Sequence, residues 1–346
     1  MIGGGFYGCN LAINLKQEMP DCIVDLYEKN DSLLLGAIGN CQNRLHMGFH
    51  YGRCGLTVQQ SSRCFNKFLH QYKNHTSIVK NNFYLIHNES KVRYQDYVSF
   101  MRRNGLMFEV CGVDDIDILT SKDQFEGAIK VPEMVFDANS IKSEIQSVLS
   151  TMDINVYYNS EIGSNQILEM RKGYDYVINA TYTQPHIGFK RDIFQDLKFE
   201  ACAIPIYHSK QYDNNLAITV MDGEFCSLYP TSSPGHFTLS SVTHTPFFKS
   251  PNLQNCIDAV TRVKSNFGEL ENIVEKITDH SKRYIKIYDD LRLSDVNLTV
   301  KCKIKNDFND SRECFYVKEG NYFSIMAGKV SAIYDINHDI VGDIKK

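Results

Sequence analysis

The glycines at the start of the chain limit what it can fold into more than any other feature. Residues 1–10 read MIGGGFYGCN, so Gly3, Gly5 and Gly8 have the G-x-G-x-x-G spacing of a dinucleotide-binding turn. Such a turn joins a strand to a helix. Glycine lets the backbone approach a pyrophosphate and lets the helix pack close to the strand. A helix over residues 6–18 follows, with Leu11, Ile13 and Leu15 available for burial and Pro20 beyond its end. Then CIVDLYE (22–28) reads as a short strand ending in Glu28, 20 residues after Gly8. An acid at that distance accepts hydrogen bonds from ribose hydroxyls, and the helix N-terminus offers free N–H groups to phosphate. Glycine turn, helix, strand and acid in this order predict a Rossmann-like nucleotide domain. The bland alternative is a glycine-rich loop beside a solvated glutamate.

Only Met1 and Ile2 precede the turn, where a strand of ~5–6 residues is usual. In this architecture that strand lies at the centre of a parallel sheet, buried on both faces. Each large apolar side chain buried there is worth roughly 1.5–3 kcal/mol. The sum approaches the whole net stability of a domain. The expectation is therefore that the natural chain starts upstream of Met1, or that a chain starting here is unstable and holds its nucleotide poorly.

The rest of the chain reads as mixed α/β with a strand-rich second part. Helices are predicted over 57–72, 91–104 and 139–150, and strands over 81–87, 108–113, 153–159 and 174–181. Residues 198–245 hold four strand-like runs, 252–280 read as helical, and 320–340 read as strand, tight glycine turn and helix. This alternation suggests a nucleotide domain interrupted by a sheet-rich substrate domain. A chain of 346 residues has room for both. The net charge of -4 argues against nucleic acid as the main partner. No apolar run approaches the ~20 residues of a membrane span, and no export signal is visible, so a cytoplasmic protein is expected. Eleven cysteines are scattered singly without a C-x-x-C. They read as reduced thiols, and no metal site is expected.

Four blocks, in order along the chain, resemble the D-amino-acid-oxidase-like FAD flavoenzymes. That family includes glycine and sarcosine oxidases, L-2-hydroxyglutarate dehydrogenase and glycerol-3-phosphate dehydrogenase. The first block is the glycine turn with Glu28. The second is NCQNRLHMGFHYGR (40–53), similar to the family's H-x-G-x-x-Y segment. The third, YDYVINATYTQ (174–184), resembles the D-x-V-V-N-A-x-G strand, with Thr181-Tyr182 where an Ala/Thr-Gly pair is usual. The fourth, SIMAGKVSAI (324–333), resembles the C-terminal G-G-K-x-T turn of the glycerol-3-phosphate dehydrogenase branch.

The resemblance implies an α/β fold: a Rossmann-like FAD-binding domain of residues 1–80, 135–190 and 310–346, its first strand largely missing, interrupted by a β-rich α+β substrate domain of residues 81–134 and 191–309. Gly3, Gly5 and Gly8 would cradle the FAD pyrophosphate and Glu28 would hold the adenosine ribose. Ala180 and Thr181 would also touch the cofactor. Arg44 would neutralise a phosphate or position substrate. His46 would lie against the flavin as a neighbour and not as a covalent anchor, and His50 and Tyr51 would reach the substrate. Gly328 and Lys329 would open the last helix beside the pyrimidine edge, where positive charge stabilises the N1–C2=O region. Tyr229, in LYPTSSPGHF (228–237), would touch substrate, with His236 a further polar group of that stretch. Each has a bland counterpart: a surface arginine or lysine, a hydrogen-bonded histidine in a buried loop, a packing tyrosine. The implied activity is hydride removal from a C–H beside an amine or hydroxyl of a small polar substrate (an amino acid, a hydroxy acid or an amino-sugar-like molecule) to flavin N5. The electron acceptor stays open. The rivals are a degenerate, non-catalytic flavin- or nucleotide-binding protein and a nicotinamide-dependent dehydrogenase, which would share only the first 30 residues' signal.

Overall fold

The structure, a computed structural model, describes residues 1–190, 193–194, 196–286, 290–304 and 311–346. One sheet is built around the glycine turn. Strand Val24–Tyr27 pairs in parallel with Ile154–Tyr157. Strand Val177–Asn179 pairs in parallel with Tyr322–Met326, whose other edge carries the antiparallel Phe315–Glu319. Ile2 joins the two halves, bridging Tyr27 on one side and Asn179 on the other. Its N–H donates to the Ile178 carbonyl at 2.8 Å, and its own carbonyl accepts from Ala180 N–H at 2.8 Å. On the opposite side Tyr27 N–H donates to the Met1 carbonyl and Gly3 N–H to the Tyr27 carbonyl. The short lead-in therefore takes the central place in the sheet, and Ile2 is 2% exposed there. Helices Phe6–Glu18, Ala138–Thr151 and Ile333–Ile344 pack against this sheet through Leu11, Ile141, Ile145, Ile333 and Ile340, which share one core with Leu26 and Phe323.

The second sheet is larger and mixed. Across it run Pro246–Ser250, Leu197–His208, His236–Ser241, Cys226–Pro230, Leu216–Met221, Asn81–His87, Phe125–Lys130 and Glu109–Cys111, with Arg292–Ile304 also paired to Leu197–His208. All neighbours are antiparallel except Leu216–Met221 and Asn81–His87. Helices Leu253–Ser265 and Phe267–Lys282 cover part of it, with Ile218, Leu228, Phe237 and Ile277 in the core between. The helical stretch predicted over 252–280 is two helices, because Asn266 ends the first and caps the second by accepting from Glu269 N–H. A three-stranded antiparallel sheet of Arg44–Leu45, Met134–Phe136 and Thr76–Ile78 lies between the two large sheets in the chain's course. Several elements lie outside the predicted ones, among them helix Ser164–Gly173 and strands Phe125–Lys130, Pro246–Ser250, Arg292–Ile304 and Phe315–Glu319. No helix among the described residues is long and apolar enough to cross a membrane.

Candidate active site

A cavity of about 1050 Å³ takes its walls from both large sheets. That is at the upper end of ~300–1,000 Å³ for small-molecule sites, so a large ligand and a small one fit together. At one end is the glycine turn. Gly3 has φ +98°, and a Cβ on it would stand 2.8 Å from the Ala180 carbonyl oxygen. Gly4 is equally crowded, and its N–H donates to Glu28 Oε2 at 2.7 Å. Above Gly5 there is nothing within 4 Å of a would-be Cβ. Gly5 is also the N-cap of helix Phe6–Glu18, which has no side-chain cap and no acid in its first turn. Its leading N–H groups are left to a ligand. Glu28 is buried on the cavity wall, and its second oxygen accepts from the backbone and side-chain amides of Asn30. Gly8 does something other than cradle a ligand. A Cβ there would sit 1.9 Å from the Gly3 carbonyl oxygen, so it brings the helix onto the turn and does not line the cavity.

A polar cluster occupies another part of the wall. After strand Arg44–Leu45 the chain turns at Gly48, with φ +119° and Val58 too close for any Cβ. Tyr51 N–H closes that turn on the Gly48 carbonyl at 3.0 Å. The turn brings the rings of His46 and His50 to 5.9 Å, and Tyr51 to 5.6 Å from His50. Lys329 arrives from the far end of the chain, its Nζ 5.1 Å from the Tyr51 ring centre. Tyr7 donates to the Lys329 carbonyl and ties that turn to the first helix. Gly328 is required because a Cβ would meet the Arg312 carbonyl oxygen at 2.4 Å. Lys329 precedes a short 3-10 turn, Val330–Ala332, and the last helix starts at Ile333, a little later than predicted.

Electrostatics in the cluster favour neutral groups. Burial, then Lys329, lowers His46 to about 4, although Glu133 pulls the other way. Burial, then Lys329 and His46, holds His50 well below the ordinary histidine value. Burial, then Arg312, Lys301 and Arg44, lowers the Lys329 amine to about 7.

Arg44 is buried behind the cluster. Its guanidinium donates to Tyr84 Oη at 3.0 Å and Ser227 Oγ at 2.7 Å, and lies 3.8 Å from the Tyr229 ring centre. Tyr84 donates to Glu133 Oε2 at 2.7 Å, and Met47 N–H donates to Glu133 Oε1 at 2.8 Å. His46 Nδ1 is 3.7 Å from that oxygen, an ion-pair distance and not a hydrogen bond. Burial alone would raise the fully buried Glu133. His46, Arg44 and the Tyr84 hydroxyl outweigh it and hold the carboxyl at about 2. Glu133 was absent from the residues predicted to form the site.

Tyr229 corrects an expectation. It is fully buried, does not line the cavity, and donates to the Met134 carbonyl at 3.1 Å. It serves as the platform under Arg44 and not as a substrate contact. His236 is likewise off the cavity, paired with His208 across two strands. Ala180 and Thr181 do line it, where Ala180 N–H binds the Ile2 carbonyl and Thr181 N–H binds Asn179 Oδ1. Tyr182, next in the chain, has φ +62°, the conformation for which glycine is favoured at that place.

Comparison with known proteins gives this geometry a family. The chain is 30% identical over 340 residues to the FAD-dependent monooxygenase FPY4 of Fusarium mangiferae, covering 96% of this chain and 87% of that protein. The chain belongs to the same family of FAD-dependent oxidoreductases as this relative, and its fold is that of the D-amino-acid-oxidase-like enzymes. Its fold matches glycine oxidase of Geobacillus kaustophilus at a TM-score of 0.67, with 10% identity over 99% of this chain and 92% of that one. It matches the FAD-bound L-alpha-glycerophosphate oxidase of Mycoplasma pneumoniae at 0.69, with 12% identity over 100% and 94%. No family profile matches the chain. This member of the family is an FAD-dependent enzyme, so neither a nicotinamide-dependent dehydrogenase nor a non-catalytic nucleotide binder describes it. The cavity fits the cofactor. Open space above Gly5 and an uncapped helix N-terminus suit a pyrophosphate, and Glu28 lies where a ribose needs an acceptor. Among the described residues, buried polar atoms without hydrogen-bond partners on cavity-lining side chains include Arg44 Nε, His46 Nδ1, His50 Nδ1 and Thr181 Oγ1.

Proposed function

We propose that the enzyme oxidises a C–H beside an amine or hydroxyl of a small polar substrate at the His46–His50–Tyr51–Lys329 cluster. Gly3, Gly5 and Glu28 would hold the cofactor's diphosphate and ribose, with Ala180 and Thr181 alongside. FAD, when bound, supplies the acceptor for the hydride. The protein must then hold the substrate and take a proton from its N–H or O–H. The observation that carries the reading is the Lys329 amine, lowered to about 7 on the cavity wall beside two neutral imidazoles. A proton acceptor works best when its pKa is near the working pH. His46, lowered to about 4, and His50, held well below the ordinary histidine value, are too weak as bases for that task. Their ring nitrogens accept or donate hydrogen bonds that orient the substrate, and Lys329 takes the proton. The resulting ammonium stays in place as a positive charge beside the reacting end. Arg44 and Glu133, charged and mutually compensated, keep His46 and Tyr84 in position from behind.

Anaerobic mixing of FAD-loaded protein with panels of amines, amino acids and hydroxy acids tests the reading. Bleaching of the oxidised-flavin band by one of them is expected. The monooxygenase description of the Fusarium relative supports a second reading, in which a nicotinamide reduces the flavin and oxygen enters the product. Bleaching by NADH or NADPH alone, with none by any substrate, would establish the second and exclude the first.

A further inference from the structure

The larger sheet carries a set of charges that proton removal does not use. On strands Leu197–His208, Pro246–Ser250 and Arg292–Ile304, Glu200 stands opposite Lys249 on one side and Lys301 on the other, and Lys198 stands opposite Lys303. Directly opposed residues share a sheet face, and residues two apart on a strand share it too. Four lysines therefore surround one glutamate on a single face. Glu200 is buried and lies 2.5 Å from Lys303 Nζ and 4.0 Å from Lys198 Nζ. Among the described residues, Glu200 is the carboxylate within ion-pair distance of these two lysines. Among the described residues no carboxylate reaches ion-pair distance of Lys301.

This face opens on the cavity through Glu200, Lys301 and Lys303, and Arg312 lines the cavity with them. The lysines are electrostatically continuous with the reacting end. Burial first, then Arg312 and Lys301, lowers both Lys303 and Lys329, while Glu200 pulls Lys303 the other way. Like charges gathered in a partly desolvated wall repel one another, and a bound anion relieves them. The cofactor's own phosphates have their place on the other sheet, at the glycine turn. One carboxylate group of a small substrate would need one cation, whereas this wall offers several, with the compact point charges of lysine that suit phosphate.

We propose that the face formed by Lys198, Lys249, Lys301 and Lys303, with Arg312, is a subsite for a phosphate-bearing tail of the substrate, a phosphomonoester or diphosphate. The substrate's polar head would reach His46 and Lys329. The assignment rests on the reading of the cavity as a substrate-oxidising site, but its binding test needs no turnover.

Pyrophosphate is titrated into FAD-loaded protein by calorimetry. One site is expected, weakening at least ~10-fold in Lys301→Met/Lys303→Met and weakening again as salt shortens the screening length. If the double variant loses FAD, Lys301→Met alone serves, since among the described residues that side chain has no ion pair to break. Absence of binding to the wild-type holoenzyme overturns the proposal, as does equal binding to the variant. Release of FAD by pyrophosphate also overturns it, because the glycine turn would then be the site. Once a turnover substrate is known, pyrophosphate should raise KM and leave kcat unchanged. An effect on kcat alone would make free phosphate a regulator and refute the tail. Failure of the oxidation reading, by contrast, would show in the anaerobic mixing and leave the calorimetry intact.

Discussion

Lys329 has a titration whose sign can be worked out. Its amine is lowered to about 7 by burial first and then by Arg312, Lys301 and Arg44. It is a free base above that pH. The rate of flavin reduction per unit substrate, kcat/KM, should therefore rise through about pH 7 and level off. Lys329→Met should remove that limb and lower the plateau ~10²–10⁴-fold, the usual range for a positioned proton acceptor. An unchanged limb in the variant would assign the proton to another group. Stability gives a second readout in the apoprotein. Between about pH 7 and the ordinary lysine value the unfolded chain binds the proton that the folded chain lacks. Stability from this group therefore rises with pH across that window and is lowest below it. Lys329→Met should be the more heat-stable protein near pH 7, with the difference shrinking toward pH 10. His46, His50, Tyr51 and Lys329 were legible because each lies in a short block with a family pattern. Glu133 was not. It is a lone acid in VPEM, and only the pairing of Arg44 with Val135 across two strands brings it behind His46.

At the scale of elements, the first helix and its turn separate glycines that look equivalent in sequence. Gly8→Ala drives a methyl into the Gly3 carbonyl, 1.9 Å away, with backbone on both sides and nothing flexible to yield. Gly5→Ala meets nothing, and φ at Gly5 is -77°, which alanine adopts without strain. The expected result is a split. Gly8→Ala should fold poorly, with a loss of several kcal/mol, on the order of severe overpacking. Gly5→Ala should match the wild-type melting temperature as apoprotein yet bind FAD at least ~10-fold more weakly, because its methyl enters the space a pyrophosphate needs. Thermal melts and FAD titrations of the two variants read this directly, and equal FAD affinity for Gly5→Ala and wild type would move the diphosphate elsewhere. The spacing G-x-G-x-x-G shows that three glycines matter, but the two physical reasons, ligand approach and helix packing, appear only once the turn is folded. Strand Arg292–Ile304 illustrates the opposite case. Val296, Leu298, Val300, Cys302 and Ile304 alternate with Asn297, Thr299, Lys301 and Lys303, so its period of two is present in the sequence. Its start, RLSDVN, carries an exposed leucine and an aspartate that blur where the alternation begins.

At the scale of the whole molecule, the two sheets share one cavity. The nucleotide sheet takes its strands from residues 24–27, 154–157, 177–179 and 315–326, and the larger sheet from 81–130 and 197–304. We propose the two-domain division 1–80, 135–190 and 310–346 against 81–134 and 191–309 on this partition. The domains would not melt independently when FAD is bound, since the glycine turn and Glu28 come from one and Thr219, Val220 and Ser227 come from the other, all lining one cavity. A ligand that binds only the folded state stabilises it by ~2.7 kcal/mol at 100 times its dissociation constant. For a chain of this length each kcal/mol shifts the melting temperature by about 2 °C or somewhat less, extrapolating the trend for smaller domains. Saturating FAD should therefore move a single calorimetric transition upward by roughly 4–5 °C. Two transitions of which one alone moves would mean that FAD touches only the nucleotide sheet, and that the walls contributed by the larger sheet close on the substrate instead. The same experiment weighs the short central strand. Ile2 has backbone partners on both sides and is 2% exposed, so the sheet is continuous through it. It supplies only one buried apolar side chain where a full strand supplies several. Ile2→Ala tests how much of the sheet depends on that one residue. It should lower the apoprotein melting temperature by about 4–8 °C, as expected for losing ~2–5 kcal/mol at a site with no neighbouring strand residue to share the load. Added FAD should recover part of that loss, because the turn that Ile2 anchors is the one that holds the diphosphate.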